Sequence, residues 1–305
     1  MGHAWRGLLL VSCTGAVWGT IGPAVQLVHE DSDLAPLTIG AYRAVAGVTA
    51  LIIASLLTGR LRMCLVLARC RWRRVVVTGV STAVFQLLFF LAVVATGVSV
   101  ATVVSLGLAP VLLLVLGSVQ RRRAPSPGRV ITVITALVGL GLVSFAGAGA
   151  AAPNAALGIV AALGSGTAYA VSTDVGAPLP QEHDPLTVTT VTMTVAAAVL
   201  VPGGLLVTYL RGDAMTTLDA RSWLLLLYLG VVTMGFAYVL LFAGLRSTTS
   251  GSAVVVTLLE PITAILIAVA LLHERLTAAV VVGSLLILAA IATLGRQLEE
   301  VPQPQ

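Results

Sequence analysis

The chain has 305 residues, of which 58% are hydrophobic and 10% are charged. This composition excludes an ordinary soluble domain and is typical of a polytopic membrane protein. All seventeen basic residues are arginines, and the net charge of +5 is spread over connecting loops, which indicates a topology signal rather than a nucleic-acid surface.

A spanning helix takes about 20 residues, so the chain has room for roughly ten spans and no sizeable soluble domain. The first exceeds a signal-peptide h-region and has no A-x-A site after it, so we read it as a transmembrane helix. In the first half we predict spans at residues 7–28, 35–58, 74–96, 99–120 and 129–148, and in the second half at 155–177, 185–210, 222–245, 250–272 and 277–295.

Arginines cluster in the loops after spans 2 and 4, at Arg60, Arg62, Arg69, Arg71, Arg73 and Arg74 and at Arg121, Arg122, Arg123 and Arg129. Loops rich in arginine stay in the cytoplasm. Ten spans then place both termini on the cytoplasmic side of a multi-pass cell-membrane protein. Glu182 and Asp184 also fall inside, a mild departure because acidic residues contribute little to this rule.

A shift of 151 residues brings the two halves of the chain into register, as expected for an internal repeat. It pairs Gly15 with Gly166, Trp18 with Tyr169, Phe85 with Phe236, Ala92 with Ala243 and Pro110 with Pro261. Five spans in each copy is an odd number, so the second copy must cross the membrane in the opposite direction. The sequence therefore predicts an all-α membrane protein of ten transmembrane helices, arranged as two inverted five-helix repeats.

The strongest candidate for a functional group is Glu260, roughly ten residues deep in span 9, where an ionised carboxylate is costly unless it is paired or faces water. Pro261 follows it and leaves a backbone carbonyl near Leu258 without its usual partner. Arg43 in span 2 lies at a similar depth, and the repeat reproduces neither charge. Glu260 is then a proton carrier, a contact for a substrate amine, or half of a structural ion pair with Arg43.

Other candidates also lie within the spans. Trp18 and its repeat partner Tyr169 would form walls of a central cavity, or else Trp18 packs beside the small residues Gly15 and Gly19. Thr192 and Thr257 would offer hydroxyls to a substrate, although most such hydroxyls bond their own helix. Asp174, near the inner end of span 6, either lines a vestibule or lies at a solvated helix end.

These residues resemble the drug/metabolite transporter superfamily, and within it the EamA type with ten spans. The resemblance is carried by Trp18-Gly19, by Pro36 followed by Arg43, by the Thr-Gly-Val-Ser-Val-Ala run with Pro110, by Glu260-Pro261, and by the Leu-His-Glu-Arg-Leu segment ending at Leu276. It implies repeats at residues 1–150 and 151–296, with a cytoplasmic tail at 297–305. It also implies transport of small metabolites, such as amino acids or related amphiphiles, through a central cavity.

The leading expectation is therefore a secondary carrier, with Pro110 and Pro261 as hinges. A non-transporting scaffold and an intramembrane enzyme are the alternatives, and the enzyme is disfavoured because few titratable groups converge in the membrane. The sequence contains no ATPase, metal or cofactor motif, and three cysteines without CxxC spacing predict neither disulfides nor zinc. Expected partners are a small-molecule substrate and the lipid bilayer, without nucleic acid. Protons as a coupling ion and a homodimer remain open.

Overall fold

The computed structural model describes residues 3–145, 154–272 and 277–299, and the regular secondary structure in this part of the chain consists of helices. Helices are expected because the bilayer core contains no water, so each segment must satisfy its own backbone. The Gly147–Pro153 part of the predicted link, the end of the Leu-His-Glu-Arg-Leu segment and the last six residues lie outside the described residues.

The helices of the first half are α1 (His3–Gly19), α2 (Ile21–Ser32), α3 (Pro36–Leu57), α4 (Leu61–Cys70), α5 (Trp72–Thr96), α6 (Val98–Arg121) and α7 (Pro127–Phe145). Those of the second half are α8 (Ala155–Gly176), α9 (Leu179–Glu182), α10 (Pro185–Arg211), α11 (Ala220–Tyr228), α12 (Ala237–Gly244), α13 (Ser250–Val256), α14 (Leu259–Leu272) and α15 (Ala278–Glu299). A π-helical segment, Leu229–Phe236, joins α11 to α12.

Nine stretches among the described residues are long and apolar enough to cross a membrane, and Ala278–Leu294 in α15 is a shorter apolar one. They match the ten predicted spans closely. Span 1 comprises α1 and α2, span 2 is α3, span 3 is α5, span 4 is α6, span 5 is α7, span 6 is α8, span 7 is α10, span 8 is α11 with the π segment and α12, span 9 is α13 and α14, and span 10 is α15.

The packing of the spans has an internal two-fold pattern. Span 3 packs on span 6 as span 8 packs on span 1, and span 2 contacts span 8 as span 7 contacts span 3. Spans 2 and 7 pack on each other, as do spans 5 and 10. Exchanging every span for the one five later therefore maps these contacts onto one another. The protein is an all-α membrane protein with two inverted five-helix repeats, as predicted.

Close approaches between backbones show where the repeat register holds. A side chain at Gly79 would come within 2.6 Å of the Thr192 carbonyl oxygen, and one at Gly230 within 2.8 Å of the Arg43 carbonyl oxygen. These two glycines are 151 residues apart, which is the predicted shift. In both repeats a glycine thus lets two spans meet at the same point.

From the end of the π segment to Thr248 the register is shifted by one residue. Thr96 Oγ1 donates to the Ala92 carbonyl, and Thr248 Oγ1 donates to the Gly244 carbonyl, both at 2.9 Å. These matching bonds are 152 residues apart, because the wider π turn accommodates one additional residue in span 8. The sequence pairings of Phe85 with Phe236 and Ala92 with Ala243 are therefore wrong by one position.

One side of the bundle carries α4 and is called the α4 side. Arg60 forms an ion pair with Asp184, with 2.6 Å between Arg60 Nη1 and Asp184 Oδ1, and Arg71 pairs with Glu182. Two acidic residues that departed from the topology rule thus neutralise arginines of a neighbouring loop. The loops after spans 2 and 6 lie on the same side, as the span count requires.

Candidate functional site

Span 9 is interrupted where the sequence places Thr257 and Leu258, between α13 and α14. The Leu258 N–H donates to the Val255 carbonyl at 3.2 Å, and the Glu260 N–H donates to the Thr257 carbonyl at 2.9 Å. These shorter turns replace the regular bonding that Pro261 prevents. Glu260 consequently lies in the first turn of α14, where the helix dipole favours a negative charge.

Span 1 packs directly against this interruption. A side chain at Gly19 would come within 2.5 Å of the Glu260 carbonyl oxygen, and one at Gly15 within 3.3 Å of the Thr257 carbonyl oxygen. At Gly19 only glycine permits this approach, and at Gly15 a larger residue would make a tight contact. Span 1 is itself interrupted at Thr20, so two broken helices meet beside Glu260, as in the ion and substrate sites of many carriers.

Trp18 faces span 8 from the same helix. Its side chain is 5% exposed, Nε1 donates to the Thr233 carbonyl at 3.0 Å, and its ring centroid lies 5.1 Å from that of Tyr238. Thr233 belongs to the π segment. Trp18 therefore satisfies its polar atom at an irregular stretch of helix, while Gly15 and Gly19 make the packing contact with span 9.

Arg43 lies in the interior of the bundle and is 6% exposed. Its Nε has no hydrogen-bond partner within the described ranges. The guanidinium interacts electrostatically with Tyr238 and Glu260. A buried cation without a direct partner is costly in a membrane, and such a residue is a functional candidate by default.

Glu260 is half-buried and does not form a direct ion pair with Arg43, since no nitrogen-to-oxygen distance between them is within 4.0 Å. The alternative of a structural ion pair is not realised in this structure. The two opposite charges nonetheless lie within electrostatic range. Each retains its hydrogen-bonding capacity for another molecule.

Tyr169 occupies the corresponding place in the second repeat. It is 4% exposed, its hydroxyl and Thr257 Oγ1 are 2.8 Å apart, and its ring stacks on Phe85 with centroids 4.9 Å apart. Thr257 also donates to the Val254 carbonyl at 2.9 Å. Thr257 is thus both the end of α13 and the link between Tyr169 and the interruption in span 9.

The remaining predicted site residues have ordinary surroundings. Thr192 is fully buried and donates to the Val188 carbonyl at 2.8 Å, so its hydroxyl is occupied by its own helix. Pro110 lies inside the continuous helix α6, in contrast to Pro261 beside an interruption. Asp174 Oδ1 accepts from Ser250 Oγ at 2.9 Å, which ties the end of span 6 to the start of span 9 on the α4 side.

Sequence reasoning missed Tyr238 and the π segment. Tyr238 interacts electrostatically with Arg43, Glu260 and Tyr169, and so joins both repeats at one site. A tyrosine in the middle of a span is the signal that could have identified Tyr238. The π segment has no sequence signature of its own. In the sequence, its one trace is the additional residue that it places in the second repeat.

Comparison with known proteins agrees with this architecture. The model of the EamA-like transporter family matches residues 5–145 and again residues 156–296. The chain belongs to the EamA-like transporter family. It is thus a membrane transporter and not an enzyme, and the predicted resemblance is confirmed.

This EamA-like transporter is also similar to individual proteins. It is 29% identical over 269 residues to the uncharacterized transporter YwfM of Bacillus subtilis (strain 168), a match that covers 88% of this chain and 86% of that protein. A crystal structure, described only as that of a protein, is 19% identical with a TM-score of 0.78 and covers 96% of this chain and 99% of the other. The latter supports the fold alone.

Proposed function

We propose that this EamA-like transporter is a secondary exporter of small metabolites that carry both an amine and a carboxylate, such as amino acids or related amphiphiles. The observation that carries the proposal is the pair Arg43 and Glu260, opposite charges in the bundle interior that do not bond each other. The guanidinium would bind a substrate carboxylate, and the carboxylate would bind an amine. Trp18 and Tyr238 would contact the substrate between them.

Alternating access follows from the inverted repeat. The site lies where spans 1, 2, 8 and 9 meet, and exchanging the conformations of the two repeats would open it first to one side and then to the other. The interruptions of spans 1 and 9 supply points where helix halves can move separately. In this proposal Pro261 acts as a hinge, and Pro110 acts as its counterpart when the conformation is exchanged.

Protons are the coupling ion in this proposal. Glu260 is half-buried beside Arg43, Tyr238 and Tyr169, and a carboxyl group with access to alternate sides can carry one proton per cycle. A substrate amine and a proton would then compete for the same carboxylate. Such competition is a direct way to couple substrate efflux to proton entry.

The α4 side faces the cytoplasm of the cell membrane in this proposal, and both termini lie there. The support is the arginine content of α4 and of the loop before α7, because basic loops are retained in the cytoplasm. The site would then load from the cytoplasm through the end of the bundle where Asp174 meets Ser250.

The test is uptake and efflux of a panel of radiolabelled metabolites in proteoliposomes, with and without a pH gradient. We expect zwitterionic substrates to be transported, accumulation to follow the gradient, and Glu260→Gln to abolish the coupling. A scaffold without transport would give no uptake of any member of the panel. Transport that ignores the pH gradient would reject protons as the coupling ion and leave the zwitterion site intact.

A further inference from the structure

Gln86 is an interior amide that the proposed mechanism does not use. It lies in the middle of span 3, is 7% exposed, and its Nε2 has no hydrogen-bond partner in the part of the chain that the structure describes. Folded proteins pair nearly all such donors, with protein, water or ligand. In the low-polarity interior of a membrane protein, the free N–H therefore indicates a missing partner.

The corrected repeat register makes Gln86 the counterpart of Tyr238. Ser165 Oγ donates to the Phe85 carbonyl at 3.0 Å, and Thr14 Oγ1 donates to the Ala237 carbonyl at 3.2 Å. The donors are equivalent in the repeat, so the accepting residues are equivalent too. The residue that follows each acceptor is Gln86 in one repeat and Tyr238 in the other.

The surroundings of these two residues differ in charge. Tyr238 contacts Trp18 and faces Arg43 and Glu260. The equivalent positions in the other repeat are Tyr169, Thr192 and Ala109. The same framework thus has a charged half around Tyr238 and a neutral half around Gln86.

The two halves adjoin each other. The Tyr169 hydroxyl bonds Thr257 at the interruption of span 9, just before Glu260, and Tyr169 lies within electrostatic range of Tyr238. Phe85, the neighbour of Gln86, stacks on Tyr169. Tyr169 thus links the charged half to the segment of span 3 that carries Gln86.

We propose that Gln86 forms a neutral subsite of the same site and donates its amide N–H to a hydrogen-bond acceptor on the far end of the substrate. This inference rests on the proposed transport of zwitterions and adds a specificity to it. The substrate carries an uncharged acceptor, such as a hydroxyl or carboxamide, in addition to its amine and carboxylate. Gln86 is the residue that selects for it.

The experiment compares uptake of two pairs of similarly sized zwitterions, L-threonine with L-valine and L-glutamine with L-methionine, in proteoliposomes. One hydrogen bond predicts about a tenfold preference for the polar member of each pair. Gln86→Leu should remove that preference by lowering uptake of threonine and glutamine to about the rates of valine and methionine. The matched control is Thr82→Val, one turn away. The buried Thr82 hydroxyl already bonds the Thr78 carbonyl at 2.8 Å, so this variant should keep the preference.

An equal loss of all four substrates in Gln86→Leu, or a preference that survives it, would overturn the inference. Thermal unfolding of the purified, unliganded protein provides a second measurement that needs no substrate. We expect Gln86→Leu to raise the melting temperature, because it removes an unpaired amide. A lower melting temperature would mean that the amide is bonded in the resting protein, by buried water or by packing, and would also reject the subsite. If the wild type takes up no zwitterion while Gln86→Leu is stabilised, the proposed function has failed and the free amide stands.

Discussion

Arg43 and Glu260 interact across a gap rather than through an ion pair. An ion pair with full hydrogen bonding would satisfy both groups and leave little for a substrate, whereas one isolated charge would be too costly to keep in the membrane. The observed arrangement lies between these limits. Tyr238 lies within electrostatic range of both. Its hydroxyl is placed to stabilise the remaining charge when a substrate or proton neutralises the other.

A double-mutant cycle tests this interaction. We expect Arg43→Gln and Glu260→Gln each to lower both transport and stability. The double variant should recover the stability but not the transport, with a coupling free energy on the order of 1 kcal/mol. Chemical or thermal unfolding in detergent measures the stabilities, and proteoliposome uptake measures transport. Thr194→Val is the control, because that hydroxyl bonds the Thr190 carbonyl of its own helix at 2.7 Å. Additive effects on stability would mean that the two charges act independently.

The Trp18 indole offers a second measurement on a single bond. Trp18→Phe keeps an aromatic ring against Tyr238 but removes the donor to the Thr233 carbonyl, so we expect a loss of about 1 kcal/mol in unfolding free energy. Trp223→Phe is the control, since that indole bonds the Thr217 carbonyl at 3.2 Å on an exposed surface. A smaller loss is expected there because water replaces the bond. Equal losses would argue against a special role of the π-segment carbonyl.

The π segment of span 8 distinguishes the charged half of the site from the neutral half, where span 3 has no such segment. Regular periodicity predicted span 8 as one uninterrupted helix, because hydropathy responds to composition and not to the backbone turn. The proline rule did predict disturbed backbone bonding near Leu258, and there the helix is broken. Span 1 breaks at Thr20, just before Gly22-Pro23, a dipeptide that favours such a break.

Deletion of Val232 tests what the additional residue does. Removing one residue from the π segment should give a regular helix like the matching part of span 3, and Tyr238 should keep its orientation because Gln86 has the equivalent place without an additional residue. The Thr233 carbonyl then returns to regular helical bonding and no longer accepts from Trp18 Nε1, so we expect a folded, monodisperse protein with reduced transport. Deletion of Thr216, in the exposed loop before α11, is the control and should retain transport. Normal transport by the Val232 deletion would show that the π segment does not position the site.

At the scale of the whole molecule, the number, order and inversion of the spans could be predicted from hydropathy, arginine placement and the repeat, because the bilayer imposes these features on the sequence. Part of the candidate site could also be predicted from the sequence. Arg43, Glu260, Trp18 and Tyr169 are brought together, since burying a polar group in the membrane interior has a cost that identifies it. The Arg60–Asp184 pair was not predicted, because loops meet across the bundle end at distances that no sequence pattern encodes.

The orientation of the bundle can be measured with the native cysteines. Cys70 ends α4 and is exposed, whereas Cys64 on the same helix is buried. Burial raises the pKa of the Cys64 thiol, and the thiolate is the form that reacts with maleimides. At neutral pH an impermeant maleimide should therefore modify Cys70 and leave Cys64 unmodified, so that Cys64 serves as an internal control for an intact fold.

Because the arginine loops predict that the α4 side is cytoplasmic, Cys70 should be protected in intact cells and modified in inside-out vesicles. Cys70→Ser should abolish the signal, since Cys13 lies in span 1, away from the aqueous surface. Modification of Cys64 should increase only when the pH rises toward its elevated pKa, and modification at neutral pH would indicate that α4 has left the bundle. Labelling of Cys70 from outside intact cells would reverse the topology. With ten spans, both termini would then lie outside the cell as well.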